Sequence, residues 1–160
     1  EIRSSDWSSD VCSSDLTIHG LKSDNLWEEY KMDQEIKEFT ETMRYRMSDR
    51  DVFYGGGVVN GARSITYMGD LAERIMAKAF RKTARCIKVE TVRLHSPVFA
   101  GDYLEFIARI TEVKGKAARI ECRSFKIAEI PENPEFESSI DVLEKPVLST
   151  SAVFWYEPRE

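Results

Sequence analysis

Three consecutive glycines, Gly55, Gly56 and Gly57, form the most distinctive group of residues in the sequence. We call the segment 54–61 around them (YGGGVVNG) the glycine loop; it directly precedes a long stretch with helical periodicity. Glycines let a ligand approach the backbone closely, and the N–H groups at a helix start attract negative charge. The loop therefore predicts a site for a negatively charged oxygen, such as that of a polarised thioester carbonyl. A phosphate fits less well because the P-loop lysine is absent and Arg63 has the wrong spacing; a plain strand-to-helix connection is the alternative without chemistry.

Carboxylates are the only plentiful acid–base groups around this loop. Asp49 and Asp51 flank it, Asp70 interrupts the apolar stripe of the helix that follows, and Glu144 precedes a predicted strand. A helix carboxylate buried near a neighbouring subunit's glycine loop would have a raised pKa and could act as a base. A solvated Asp70 is the equally simple alternative. His95 stands before a Ser-Pro turn, where we expect a structural role.

Composition excludes several classes of function. The 160-residue chain has a formal net charge of −5, which argues against binding to nucleic acid. It has no apolar run long enough to span a membrane. Cys12, Cys86 and Cys122 lie at no metal-ligand spacing, and two histidines cannot complete a zinc site, so no metal is predicted. We expect a soluble cytoplasmic protein with reduced thiols, in which Cys86 and Cys122 are buried in strands.

Periodicity predicts one strand, one long helix and several later strands. Residues 42–48 alternate apolar and polar side chains, which is typical of a strand. After Asn60, a plausible N-cap, apolar residues recur at spacings of three and four and predict a helix. The stripe comprises Ala62, Ile65, Met68, Leu71, Ala72, Ile75, Met76 and Ala79. Later strands are predicted at 85–95, 101–113, 117–130 and 146–156, with an inserted loop at 131–145.

The order of these elements predicts an α+β fold. One strand precedes the helix and the rest follow it, so we expect a curved antiparallel sheet with the helix on one face. Nothing in the chain covers the other face or the edges of the sheet. Exposed edges and faces are usually covered by association, so a homodimer or larger assembly is expected.

The N-terminal part of the chain is set apart from this domain, which we place at residues 42–158. Residues 1–16 repeat Ser-Ser-Asp three times and resemble the translated sequencing adapters found at the ends of some gene predictions. They lack the basic and apolar regions of a signal peptide, and we expect them to be non-native. Residues 17–41 are polar with few apolar positions, and we expect an extension that is either a short helix or disordered.

Three segments resemble the 3-aminobutyryl-CoA and β-alanyl-CoA ammonia-lyases. They are residues 47–63 with the later Gly69-Asp70 pair, residues 97–103 (PVFAGDY) and residues 142–148 (VLEKPVL). The resemblance spans about residues 43–156. It implies the hot-dog fold, a helix wrapped by an antiparallel sheet, in a homodimer that is often part of a hexamer. It also implies reversible elimination of ammonia from a 3-aminoacyl-CoA, with coenzyme A as part of the substrate and no metal or other cofactor.

The resemblance also implies a set of site residues. Glu144 is the first choice for the base that takes the α-proton, and Asp70 or Asp51 would face the substrate ammonium. The loop backbone would hold the carbonyl oxygen, while Tyr54 and Asn60 would orient the substrate. The predicted catalytic residues are thus Glu144, Asp70, Asp51 and Tyr54, and the predicted substrate-binding residues are Gly55, Gly56, Gly57, Asn60 and Arg63.

The sequence departs from this family at three positions. Phe53 replaces a usual histidine, Gly57 a usual asparagine, and Arg93 a commonly acidic residue. The first two changes remove hydrogen-bonding groups, which favours a more apolar or bulkier substrate. Two alternatives stay open: hydrolysis of an acyl-CoA thioester on the same fold, and a subunit that binds acyl-CoA without catalysis.

Overall fold

The computed structural model describes residues 39–160, so the predicted segment 1–16 and nearly all of the predicted extension 17–41 lie outside the described residues. The described chain forms one five-stranded antiparallel sheet in the order β1-β3-β4-β5-β2, with a single long helix packed against it. This confirms the predicted α+β arrangement. The elements are β1 (Thr40–Arg46), α1 (Gly61–Phe80), β2 (Ala84–Leu94), β3 (Tyr103–Lys114), β4 (Ala117–Glu129) and β5 (Asp141–Pro158).

Helix α1 begins at the predicted cap. The side chain of Asn60 accepts a hydrogen bond from the Ala62 N–H at 2.9 Å, and the helix ends at Arg81 in the left-handed conformation. The middle of the predicted stripe is buried, whereas Ala62 is exposed and Ser64 is buried in the first turns. The stripe therefore packs on the sheet as its 3.6-residue period requires. The buried helix residues are Ser64, Met68, Leu71, Ala72, Ile75 and Met76.

The sheet presents alternate residues to the helix. Leu104, Phe106 and Ala108 of β3 are fully buried on the helix side, so the residues between them face the opposite, outer side. Cys122 of β4 is buried on the helix side, as predicted. Cys86 is exposed in the protomer, contrary to the prediction, because β2 is an edge strand whose residues after Ala84 are all exposed.

The last strand differs most from its prediction. The sequence predicts a loop at 131–145, but residues 141–145 belong to β5, which starts at Asp141. Val142 pairs with Ala128 and Val147 pairs with Lys126, so residues 143–146 bulge opposite a single residue of β4. Pro146 has no N–H to donate to a neighbouring strand, which suits a bulge. No helix among residues 39–160 is long and apolar enough to cross a membrane.

Candidate functional site

The glycine loop is a fixed part of the fold. Gly56 and Gly57 have φ angles of 82° and 77°, which side chains with a Cβ rarely adopt. The Ala100 N–H donates to the Gly57 carbonyl at 2.9 Å, and the Val59 N–H donates to the Val98 carbonyl at 2.8 Å. These bonds anchor the C-terminal end of the glycine run and the residues after it to the segment before β3, while the exposed residues Gly55 and Gly56 stay open to a ligand.

Asp51 is buried just before this loop, and each of its carboxylate oxygens has two polar neighbours. One oxygen accepts from the Ser48 N–H at 2.9 Å and lies 3.2 Å from the Ser48 hydroxyl. The other accepts from the Tyr67 hydroxyl at 3.4 Å and lies 3.7 Å from Arg63 Nε. Burial, a hydrogen bond with Tyr45 and the charge of Asp51 hold the pKa of Tyr67 well above its usual range. Asp51 thus joins the turn before the loop to helix α1.

Two aromatic side chains and one arginine lie beside the glycine loop. Phe53 is 69% exposed and Tyr54 is 55% exposed. The Arg63 guanidinium carbon lies 5.8 Å from the centre of the Phe53 ring, within range of a cation–π contact. Arg63 Nε is buried without a hydrogen-bond partner. A positive charge and two exposed rings therefore lie beside the loop.

Asp70 lies far from the loop within one protomer. It is exposed on α1, nine residues after Gly61, which corresponds to about 14 Å along a helix. The Tyr156 hydroxyl donates to the carbonyl of the preceding Gly69 at 3.4 Å, which places Asp70 beside β5. The chain does not bring Asp70 and the glycine loop together by itself.

Glu144 lies in the bulge of β5, at a cleft on the outer side of the sheet. This outer cleft has a volume of about 500 Å³, and Glu144 is exposed within it. None of the other predicted site residues lines it. Its polar lining is Arg44, Tyr103, Glu105 and Glu144, and its apolar lining is Ile127, Ala128, Ile140, Val142, Leu143 and Pro146.

The outer cleft and the glycine loop lie at the same end of the sheet. Ala100 is hydrogen-bonded to Gly57, and three residues further on Tyr103 lines the cleft. Three residues of extended chain span at most about 10 Å. His95 follows Leu94, whose side chain lies against Gly61 at the end of the glycine loop, and its Nε2 lies 2.8 Å from the Ser151 hydroxyl.

Sequence reasoning missed the ion pair in the outer cleft. Glu105 is only 5% exposed, and its Oε1 accepts from Arg44 Nε at 2.7 Å. An acidic residue between the apolar Leu104 and Phe106 of a strand is a weak signal in the sequence. Only the pairing of β1 with β3, which sets Arg44 opposite Glu105, reveals the contact.

No protein-family model matches the sequence. The curated 3-aminobutyryl-CoA ammonia lyase of Acetoanaerobium sticklandii is 33% identical over 106 residues, which cover 66% of this chain and 83% of that protein. The structure of β-alanyl-CoA:ammonia lyase from Clostridium propionicum superposes with a TM-score of 0.66 at 23% identity, covering 76% of this chain and 92% of that one. A hexameric thioesterase from Yersinia pestis superposes with a TM-score of 0.60 at 16% identity, covering 75% of this chain and 87% of that one.

The two structural likenesses confirm the hot-dog fold that the family resemblance implies. The Acetoanaerobium sticklandii lyase shows the family as well as the fold, because the 33% identity covers 83% of that protein. This chain belongs to the family of the 3-aminobutyryl-CoA ammonia lyases.

Proposed function

We propose that this protein catalyses the reversible elimination of ammonia from a 3-aminoacyl-CoA, giving an enoyl-CoA. The observation that carries the proposal is the one-third identity to a 3-aminobutyryl-CoA ammonia lyase over 83% of its length. The site adds physical support, because a glycine loop at a helix start and a carboxylate in a partly apolar cleft suit this chemistry. Coenzyme A enters as part of the substrate, and the proposed reaction needs no metal or other cofactor.

The reaction requires a base and a group that stabilises the enolate. Glu144 takes the α-proton of the substrate, and the C–H electron pair moves into the thioester as an enolate. Backbone N–H groups of Gly56 and Gly57 stabilise the enolate oxygen. When the enolate collapses, the Cα–Cβ double bond forms, the C–N bond breaks and ammonia leaves with the bonding pair. Tyr54 and Asn60 orient the thioester, and Arg63 contacts its anionic part.

The complete site is proposed to need more than one protomer. Asp70 is exposed and lies about 14 Å along the helix from the glycine loop of its own chain. A second copy would bring its own glycine loop to this face of the helix, so that the Asp70 carboxylate lies beside the partner's loop across the interface. The hexameric Yersinia pestis thioesterase of the same fold supports a hexamer built from such dimers.

Hydrolysis of an acyl-CoA thioester is the second candidate function. The observation in its favour is the structural likeness to the Yersinia pestis thioesterase. A carboxylate would then activate water instead of taking an α-proton, and the loop would stabilise a tetrahedral oxyanion. Because both reactions use the same loop, the product decides between them.

The experiment follows enoyl-CoA and free thiol in parallel. Loss of the ultraviolet absorbance of crotonyl-CoA or acryloyl-CoA only with ammonium present, and without thiol release, supports the lyase. Free coenzyme A that appears regardless of ammonium refutes the lyase in favour of the thioesterase. Binding without either reaction supports a non-catalytic subunit.

The role of Glu144 is tested by Glu144→Gln, which keeps the size of the side chain and removes the base. Loss of a general base lowers the rate by about 10²–10⁴-fold, so kcat should fall by that factor while binding of crotonyl-CoA persists. Glu137→Gln, at an exposed position in the connection before β5, is the matched control and should keep wild-type kcat. A wild-type rate in Glu144→Gln would contradict the assignment.

A further inference from the structure

The outer cleft contains a second carboxylate that the proposed elimination does not use. Along β3, Leu104 and Phe106 face the helix, so Glu105 between them faces the outer side and lines the cleft with Glu144. The two carboxylates differ in their surroundings: Glu144 is exposed, whereas Glu105 is 5% exposed. The cleft therefore offers one accessible carboxylate and one recessed carboxylate.

Glu105 is paired with an exposed cation. A buried carboxylate needs a positive partner, and Arg44 supplies it at 2.7 Å. The Arg44 side chain is 64% exposed while that of Glu105 is 7% exposed, so the arginine reaches inward from solvent. Moving Arg44 outward would return its charge to water but leave Glu105 unpaired. Another cation in the cleft would compensate Glu105 for this loss.

A 3-aminoacyl-CoA brings such a cation. Its ammonium group is a compact positive charge on a short alkyl chain, and the cleft pairs a recessed carboxylate with apolar side chains of Ile127, Ile140 and Val142. We propose that Glu105 binds the substrate ammonium and thereby selects amino-bearing thioesters, with Arg44 occupying the same carboxylate when the cleft is empty. This inference rests on the proposed function.

The exchange of Arg44 and ammonium at Glu105 also favours release of the product ammonia. When the C–N bond breaks, the nitrogen keeps the bonding pair and becomes neutral ammonia, so Glu105 loses its cationic partner. Arg44 then returns to Glu105 and displaces the ammonia. Because Arg44 and the ammonium compete for one carboxylate, removal of Arg44 should strengthen substrate binding and removal of Glu105 should weaken it.

The test compares a charged thioester with an uncharged one. We would measure KM for 3-aminobutyryl-CoA and the competitive inhibition constant of butyryl-CoA, which lacks the amine. In Glu105→Gln the ratio of KM to this inhibition constant should rise about tenfold to a hundredfold, as for loss of a hydrogen bond to a charged group. In Arg44→Gln the ratio should fall. Glu121→Gln, which alters an acid of β4 paired with Arg119, is the control and should keep the wild-type ratio.

Substrate recognition by Glu105 predicts that the ratio changes in opposite directions in the two variants, whereas a purely structural ion pair does not predict this. If both variants raise the ratio, or if either leaves it unchanged, the inference is overturned. Should Glu105→Gln fail to fold, Arg44→Gln at its exposed position decides alone by the direction of its effect. Wild-type protein that forms no enoyl-CoA would refute the proposed function itself, whereas an active wild type with an insensitive ratio would refute only the role of Glu105.

Discussion

Replacing Asp51 by alanine should destabilise the fold, because its carboxylate joins two parts of the chain. It accepts hydrogen bonds from the Ser48 backbone N–H and hydroxyl and from the Tyr67 hydroxyl. Tyr67 belongs to α1, while Ser48 belongs to the turn before the glycine loop. The substitution Asp51→Ala therefore frees that turn from the helix.

The magnitude follows from these three bonds. A hydrogen bond within a protein contributes about 1 kcal/mol net, and an unsatisfied buried partner adds to the loss. Ser48 is exposed, so water replaces part of what its two groups lose. The Arg63 side chain is 40% exposed, and its ion pair with Asp51 at 3.7 Å contributes little. We expect Asp51→Ala to lower the free energy of unfolding by about 2–3 kcal/mol.

Urea unfolding at a fixed protein concentration measures this change, since association makes apparent stability depend on concentration. A thermal scan should show Tm lowered by roughly 6–15 °C for a domain of this size. Asp49→Ala is the matched control, because Asp49 is an exposed acid in the same turn and should change stability by less than about 0.5 kcal/mol. Asp51→Asn keeps an acceptor for the Ser48 N–H and should fall between the two.

Wild-type stability in Asp51→Ala would refute this account of the loop. If such a stable variant also showed a raised KM for 3-aminobutyryl-CoA alone, Asp51 would be the ammonium-facing residue that the family resemblance implies.

Two other predictions concern titration and reactivity. Burial raises the pKa of Asp102 above its usual value against the opposing hydrogen bond from the Phe99 N–H. Its contribution to stability is therefore full below the unfolded pKa of about 4 and is lost as pH rises through the folded pKa. In urea unfolding, the free energy of unfolding of wild type relative to that of Asp102→Asn should decrease as the pH rises above about 4. A difference that does not change with pH would contradict this prediction. Burial also raises the pKa of the Cys122 thiol. When native protein is treated with a thiol reagent, peptide mapping should therefore find Cys122 unmodified. Rapid modification of Cys122 would show that the core opens readily.

Local patterns in the sequence were sufficient for the parts of the fold that repeat with a regular period. The helix after Asn60 and the buried face of β3 follow from spacings of 3.6 and 2 residues. The positive φ angles of Gly56 and Gly57 agree with the choice of glycine in the loop. Local periodicity does not reveal where a strand gains a partner, and so the start of β5 at Asp141 was missed.

The partners of the charged residues come from segments that are distant in the sequence. Arg44 and Glu105 are 61 positions apart in sequence and meet only because β1 pairs with β3. The resemblance implies that Asp51 faces the substrate ammonium, and only the packing of α1 shows that the Tyr67 hydroxyl donates to its carboxylate. Sequence patterns were enough to predict the family resemblance, the helix, the alternation of the strands and the glycine loop. Which carboxylates are exposed, paired or buried depended on contacts between distant segments, because burial and ion pairing arise only when the sheet and helix assemble.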